Sequence, residues 1–382
     1  MNNFTYKNPT EILFGEGQTA LIADRIPKDA TVLMLYGGGS IKHNGAYQQT
    51  LAALADFEVV EFGGVEPNPV YETLMQALEV VRDEQVDFIL AVGGGSVGDG
   101  AKFIAAAAHY QGDDPWDILA KGHEVTQAMP VGMVLTLPAT GTESNGNSVI
   151  TRESNGKKLG FGSPLVRPVF SVLDPSYTFT LPPRQVGNGV VDAFVHVTEQ
   201  YLTYPSDAPL QDRFAESILA TLVEQGPQAL SDPENYQVRA NLMWSACMAL
   251  NGLIGQGVPQ DWATHMIGHE LTAVHGLDHA QTLAVVLPSL LRHRVDAKRA
   301  KLEQLGQRVF GLTGPDAASR CIDAIEGFFE SMGVATRLSG YQLDQSAIPS
   351  VIASLEDNGM TSLGEHGDIS PADAKAILIA AA

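Results

Sequence analysis

The chain has 382 residues, 45% hydrophobic and 18% charged, a globular composition long enough for two cores. Its formal net charge is −21, from 44 acids against 23 bases. Such a surface repels nucleic acid and anionic membrane, so any anionic ligand must find local positive potential in backbone amides, a few lysines or a metal. No apolar run reaches the roughly eighteen residues of a membrane span. The N-terminal MNNFTYKNPTEILFGEG has no basic region followed by an apolar core, so it does not read as a secretory signal. Cys247 and Cys321 form neither a disulfide framework nor a CxxC site, which points to a reducing cytoplasm.

In chain order, the spacing predicts strands at Thr31–Tyr36, Phe57–Phe62, Asp87–Val92, Val131–Leu137 and Val169–Leu173. Between the second and third, Val70, Leu74, Ala77, Leu78 and Val81 share one face of a helix over Val70–Glu84, and an alanine-rich helix follows at Ala101–Tyr110. This alternation argues for an α/β unit with a largely parallel sheet. After Leu173–Gln185, where Pro182 and Pro183 mark a break, strand-like runs stop and helical periodicity continues to the end. The expected organisation is an α/β nucleotide-binding domain over 1–180 and an all-helical domain over 181–382.

Two GGGS stretches, Gly37–Ser40 and Gly93–Ser96, each follow a predicted strand, and the second opens a helix. Free backbone N–H groups at a helix start, with no side chain in the way, suit a diphosphate. Two tight turns needing positive φ would read the same way locally; their repetition at two strand ends favours the nucleotide. Neither is GxGxxG or GxxxxGK[ST], which excludes an ordinary Rossmann enzyme and a P-loop ATPase. Leu135–Ser148 leaves a strand for a Thr/Ser/Asn/Gly-rich segment, either more of this site or a polar surface loop.

Asp192 and His196 stand four apart, as do His265 and His269, and His275 and His279. Residues i and i+4 share a helix face, so five of the ten histidines and one aspartate fall into three candidate metal-binding pairs, with ligands suited to Zn²⁺ or Fe²⁺. His269-Glu270 begins like a protease HExxH, but position 273 is alanine and that motif fails.

Through YGGGS, VEPNP, AVGGGSVGDGAKF, LPATGTESN, GVVDAFVHVTEQY and HMIGHEL…HGLDHAQ, the whole chain resembles the iron-containing (group III) alcohol dehydrogenases, most of all their butanol-dehydrogenase-like branch of bacterial NADPH-dependent aldehyde reductases. The resemblance implies a dehydroquinate-synthase-like architecture with catalysis in the cleft between domains. It places the metal on Asp192, His196, His265 and His279, with His269 close to the metal and nicotinamide without ligating; either His269 or an ordered water is expected to deliver the proton. It implies cofactor contacts from Gly37, Gly38, Ser40, Asn68, Gly94, Gly95, Ser96, Asp99, Thr136, Thr140, Asn145, Lys158 and Tyr177. Asn145, Val149, Leu253, Ile254 and Trp262 are expected around a small aldehyde or alcohol. A homodimer is expected from the resemblance alone, and the branch favours zinc over iron. Many relatives follow the last metal histidine with glycine; here Gly276 follows His275, but the spacing from His265 (279 − 265 = 14) selects His279.

Two other readings compete. A lyase similar to dehydroquinate synthase needs a phosphate-binding basic cluster that the helical half lacks. A non-catalytic binder would be signalled by lost metal ligands, and all four are present. NADPH is expected over NADH, because relatives using NAD carry an aspartate where this chain has Gly38. Ser40, Lys42 and His43 stand nearby to receive a 2′-phosphate.

Overall fold

The computed structural model describes residues 1–382. The α/β unit, residues 7–181 with 233–247, begins with β1 (Glu11–Phe14), β2 (Thr31–Tyr36), α1 (Ala46–Ala53), β3 (Glu58–Phe62), α2 (Tyr71–Asp83), β4 (Phe88–Gly93) and α3 (Gly95–Ala107). It continues with α4 (Asp117–Ala120), β5 (Val131–Leu135), the hairpin β6 (Asn147–Arg152) and β7 (Lys157–Gly162), and β8 (Phe170–Leu173). Six strands form one parallel sheet in the order β1-β8-β5-β4-β2-β3, while β6 and β7 pair antiparallel apart from it. The central strands β4 and β5 are buried along their whole length, as parallel strands covered on both faces must be.

From β2 the chain moves outward to β3, then returns to lay β4 on the other side of β2. The crevice at the carboxyl ends of β2 and β4 is therefore a topological switch point, where open α/β sheets bind ligands. Both GGGS turns leave the sheet there, since Tyr36 of β2 pairs with Val92 of β4. Below them Val32, Met34, Leu90, Val92, Val134, Phe170 and Val172 form one core face.

The five strands read from the sequence are present, each within two residues of its expected ends. β1 and the β6–β7 hairpin were not legible: β1 is four residues long on a sheet edge, and the hairpin alternates weakly around Lys157 and Lys158. The Leu135–Ser148 segment is no surface loop. Thr142, Glu143, Ser144 and Asn145 are all buried, and β6 starts inside the stretch at Asn147.

The helical unit comprises residues 1–6, 182–232 and 248–382. Its helices are α5 (Pro183–Tyr201) and α6 (Pro209–Ser231), the end of α7 (Tyr236–Ala249), then α8 (Ala263–His275), α9 (His279–His293), α10 (Val295–Val309), α11 (Ala317–Ser331), α12 (Ile348–Asp357) and α13 (Pro371–Ala380). Two short stretches cross the boundary expected near residue 180. Residues 233–247 pack with the α/β unit, where Trp244 meets Phe14 edge-on and Cys247 lies 3.3 Å from Ser144 Oγ. At the other end, the Asn2 amide bonds Gly257 O at 2.8 Å. No helix is long and apolar enough to cross a membrane.

α5 is buried along nearly its whole second half, with Phe194 held between Phe328 and Phe329 of α11. It approaches the chain after α11 so closely that a Cβ on Gly187 would lie 2.2 Å from the Met332 carbonyl oxygen. Gly187→Ala must push these two backbones apart, so a loss of about 1–3 kcal/mol of unfolding free energy is expected in urea denaturation.

Candidate active site

In the helical unit, one aspartate and three histidines converge. Asp192 and His196 come from consecutive turns of α5, His265 from the first turn of α8, and His279 from the first residue of α9. One donor atom from each lies within 4.8 Å of the others. The Nε2 atoms of His196 and His265 are 3.1 Å apart, and Asp192 Oδ1 is 3.5 Å from His279 Nε2. A tetrahedral ion with bonds of about 2.0–2.2 Å has donor–donor edges of about 3.3–3.5 Å, so the arrangement fits one. The buried Nδ1 of His196 lies 3.6 Å from Asp192 Oδ1, beyond hydrogen-bond distance. Burial, with His265 close by, holds the His196 imidazole well below its ordinary value; it stays neutral, the form that ligates.

The third histidine pair does not exist as a pair on one helix. Gly276 takes a left-handed conformation (φ 72°) that ends α8, and α9 starts afresh at His279. His275 is left outside, its Nε2 3.1 Å from Ala347 O. Asp278, just before α9, accepts from Asn188 Nδ2 of α5 at 3.0 Å, and its own amide bonds Gln281 Oε1 at 3.2 Å. These bonds set the start of α9 against α5 and aim His279 at the cluster. His269, one turn after His265, is 9% exposed; its ring centroid is 5.3 Å from that of His279 and 6.0 Å from that of His265. It borders the four donors without being one of them.

A fifth residue belongs to the cluster and was missed in the sequence. Glu199 Oε2 makes a very short hydrogen bond to His265 Nδ1, and Oε1 accepts from the His265 amide at 3.2 Å. A carboxylate behind a ligating imidazole fixes its tautomer and direction. The signal was present: Glu199 lies three residues beyond His196 on the same helix face. Burial and the neighbouring Asp261 push the Glu199 carboxyl well above its usual range. Asp261 in turn shares the buried Lys298 ammonium (2.7 Å) with Glu365 (2.8 Å). Between Asp261 and α8, Trp262 sits at φ 66°, with its ring edge-on to His265 at 5.3 Å.

In the α/β unit, the expected cofactor residues gather at the carboxyl ends of β2, β4 and β5. Gly37, Gly38 and Ser40 leave β2; Gly94, Gly95 and Ser96 open α3; Thr136 follows β5 and bonds Gly93 O. α3 has no side-chain cap, so its first-turn N–H groups have no side-chain acceptor, as at helix starts that receive anions. Gly95 is required there, because a Cβ would lie 2.7 Å from Thr140 Oγ1. Asn68, at φ 57°, donates its amide to Ser96 Oγ at 3.2 Å and accepts from Lys158 Nζ at 2.9 Å.

Other expected contacts are turned inward. Asp99 accepts from Thr142 Oγ1 (2.7 Å) and the Val149 amide (3.0 Å). The Asn145 amide bonds Thr140 O, Lys102 and the Asn147 amide. Tyr177 is fully buried in the sheet core, with its hydroxyl on Thr19 and Gln49 at 2.7 Å each. Each of these three side chains thus bonds within its own unit, Tyr177 with no exposed surface. Lys42 lies over the rings of Tyr36 (5.2 Å) and Tyr47 (4.9 Å).

Residues 9–175 match the family described as iron-containing alcohol dehydrogenase, and residues 187–379 match the C-terminal part of the Fe-containing alcohol dehydrogenase family. The chain is 61% identical to the NADPH-dependent aldehyde reductase YqhD of Escherichia coli (strain K12), over 97% of each chain. It is 42% identical to the probable NADH-dependent butanol dehydrogenase 1 of Bacillus subtilis (strain 168), over 99% of each. The crystal structure of E. coli K-12 YqhD superposes with a TM-score of 0.99 at 59% identity, covering 100% of this chain and 99% of that one. The chain belongs to the iron-containing alcohol dehydrogenase family.

Removal of the Glu199 carboxylate tests the geometry of the centre directly. Glu199→Ala is expected to weaken Zn²⁺ or Fe²⁺ binding by about 10–100-fold, and Glu199→Gln by less, in competition with a chromophoric chelator. An unchanged affinity in either folded variant would remove Glu199 from the site.

Proposed function

We propose that the chain is a metal-dependent, NADPH-using alcohol dehydrogenase that works as a reductase of small aldehydes. The observation that carries this reading is the convergence of Asp192, His196, His265 and His279 on one point. Three imidazoles and one carboxylate accept Fe²⁺ or Zn²⁺. The iron in the family's description favours Fe²⁺, against the zinc expected from the sequence. Bound there, the metal supplies electrophilic polarisation of a carbonyl oxygen, and the nicotinamide supplies the hydride.

The chain's own residues bind, orient and move the proton. The α3 amides and the Gly37–Ser40 turn hold the diphosphate and adenosine end, which fixes the nicotinamide and removes the orientational cost of hydride transfer. Glu199 holds the His265 ring in one tautomer. His269, beside the four donors, or an ordered water hands a proton to the product oxygen. Both cysteines are buried thiols, which agrees with the cytoplasm as the working compartment. A homodimer is part of this reading and is checked by sedimentation.

Chelation is expected to abolish NADPH oxidation by butanal, and added Fe²⁺ or Zn²⁺ to restore it; full turnover by demonstrably metal-free protein would end the proposal. His279→Ala is expected to lose the metal and His275→Ala to keep it, measured by metal content after gel filtration. The reverse pattern would assign the wrong histidine.

Relatives differ in their named cofactor, NADPH in one and NADH in another, and Gly38 stands where an aspartate is expected in users of NAD. A Cβ at Gly38 meets nothing within 4 Å, so an aspartate fits there without disturbing the turn. Absence of that carboxylate, with the Ser40 hydroxyl available to the 2′-phosphate, favours NADPH by about 2–3 kcal/mol, or roughly 30–150-fold in kcat/KM. Gly38→Asp is expected to erase most of this preference. A wild-type ratio near one, or a ratio unmoved by the substitution, would refute the argument.

A further inference from the structure

Lys102 has no exposed surface, although it stands in the middle of α3, seven residues after Gly95. Its Nζ donates three hydrogen bonds, to Thr142 Oγ1 (2.8 Å), Asn145 Oδ1 (3.0 Å) and Asn147 O (2.8 Å). All three acceptors belong to one stretch, 142–147. Thr142 spends its own proton on Asp99 Oδ1 at 2.7 Å, so toward Lys102 it can only accept. Asp99 takes the next residues as well, through the Val149 amide (3.0 Å) and the Ser148 hydroxyl on its backbone carbonyl (2.8 Å). Asn145, oriented by Lys102, donates to Thr140 O at 3.1 Å. Thr140 is the residue packed against Gly95 at the open end of α3.

We infer that Lys102 is a positioning residue of the nucleotide cradle: its ammonium draws the 140–149 segment onto α3 and thereby sets Thr140 beside the first-turn amides that receive the cofactor diphosphate. The inference rests on the NADPH reading above and adds to it a residue that never touches the cofactor.

The number of donors makes the device sensitive to pH. An ammonium has three donors for these three acceptors; the neutral amine has two and a lone pair, so one acceptor loses its bond. Burial lowers Lys102, Asp99 and Glu143 oppose, and Arg167 adds a smaller push down, which together bring it to about 8. These are the charged groups that face it: Asp99 from its own helix, Glu143 from the segment it ties, and Arg167 from the stretch before β8. Burial pushes the Asp99 and Glu143 carboxyls up. The full set of three bonds is therefore present at neutral pH and is lost as pH rises through about 8.

The test is NADPH binding to the metal-loaded enzyme without aldehyde, followed by nicotinamide fluorescence from pH 7 to 9.5, together with steady-state kinetics. In the wild type, Kd is expected to rise across that range. Lys102→Met is expected to raise Kd at pH 7 by about 10-fold or more, to leave kcat at saturating NADPH within about 3-fold, and to flatten the pH dependence. A lysine that only stabilises the fold would lower the melting temperature and leave Kd and its pH profile alone; that result in the folded variant overturns the inference. If Lys102→Met does not fold, Thr142→Val removes one acceptor, and a Kd unchanged at pH 7 overturns it equally. A wild type that binds no NADPH at any pH overturns the cofactor reading first, and this inference with it.

Discussion

The donor atoms of Asp192, His196, His265 and His279 lie within 4.8 Å of one another, the first three residues buried and His279 partly exposed. Without a cation to bridge them, so many buried lone pairs are costly, and only well-packed helices hold them together. The helical unit is arranged around that demand. α5 supplies two donors from one face and a second carboxylate, Glu199, to aim His265. Gly276 breaks the chain so that α9 begins at His279, and the Asn188–Asp278 bond ties that beginning to α5. Each device fixes a direction, and a metal site needs directions as much as ligands.

The α/β unit answers a different demand. A protein with a net charge of −21 must attract a dinucleotide carrying several negative charges. In the proposed reading little side-chain charge is needed: uncapped amides of α3 and the glycine turn after β2, both placed at the switch point by strand order, offer the positive potential. Backbone dipoles act over the few ångströms of a binding crevice, whereas the surface acids are screened beyond a Debye length of about 8–10 Å. Local geometry therefore prevails over the overall charge.

Both units also bury one ammonium to fasten a segment near their site. Lys102 ties 142–147 to α3, and Lys298 gathers Leu202 O, Asp261 and Glu365 behind Trp262. A buried charge is tolerated only when its donors are matched, and each of these lysines has at least three acceptors. The strained Trp262 backbone is held between the bonds Asp261 makes and the start of α8.

Periodicity and spacing determined a good deal. Five of the six strands of the parallel sheet, α2, the change to helices after Pro182 and the two glycine turns all follow from local patterns, because burial repeats every two residues in strands and every three to four in helices. The same rule brought Asp192 and His196 together. Only the tertiary structure decided the rest. His275 and His279 share the helical interval but not a helix, since one positive-φ glycine between them redirects the chain. Asp99, Asn145 and Tyr177 have the chemistry of cofactor contacts, yet Thr142, Lys102, Thr19 and Gln49 claim their polar atoms first. Glu199 and Lys102 looked like ordinary charged residues on helices. Their tasks depend on partners 66 and 40 to 45 residues away, and a local pattern carries no information about which distant atom a buried side chain will meet.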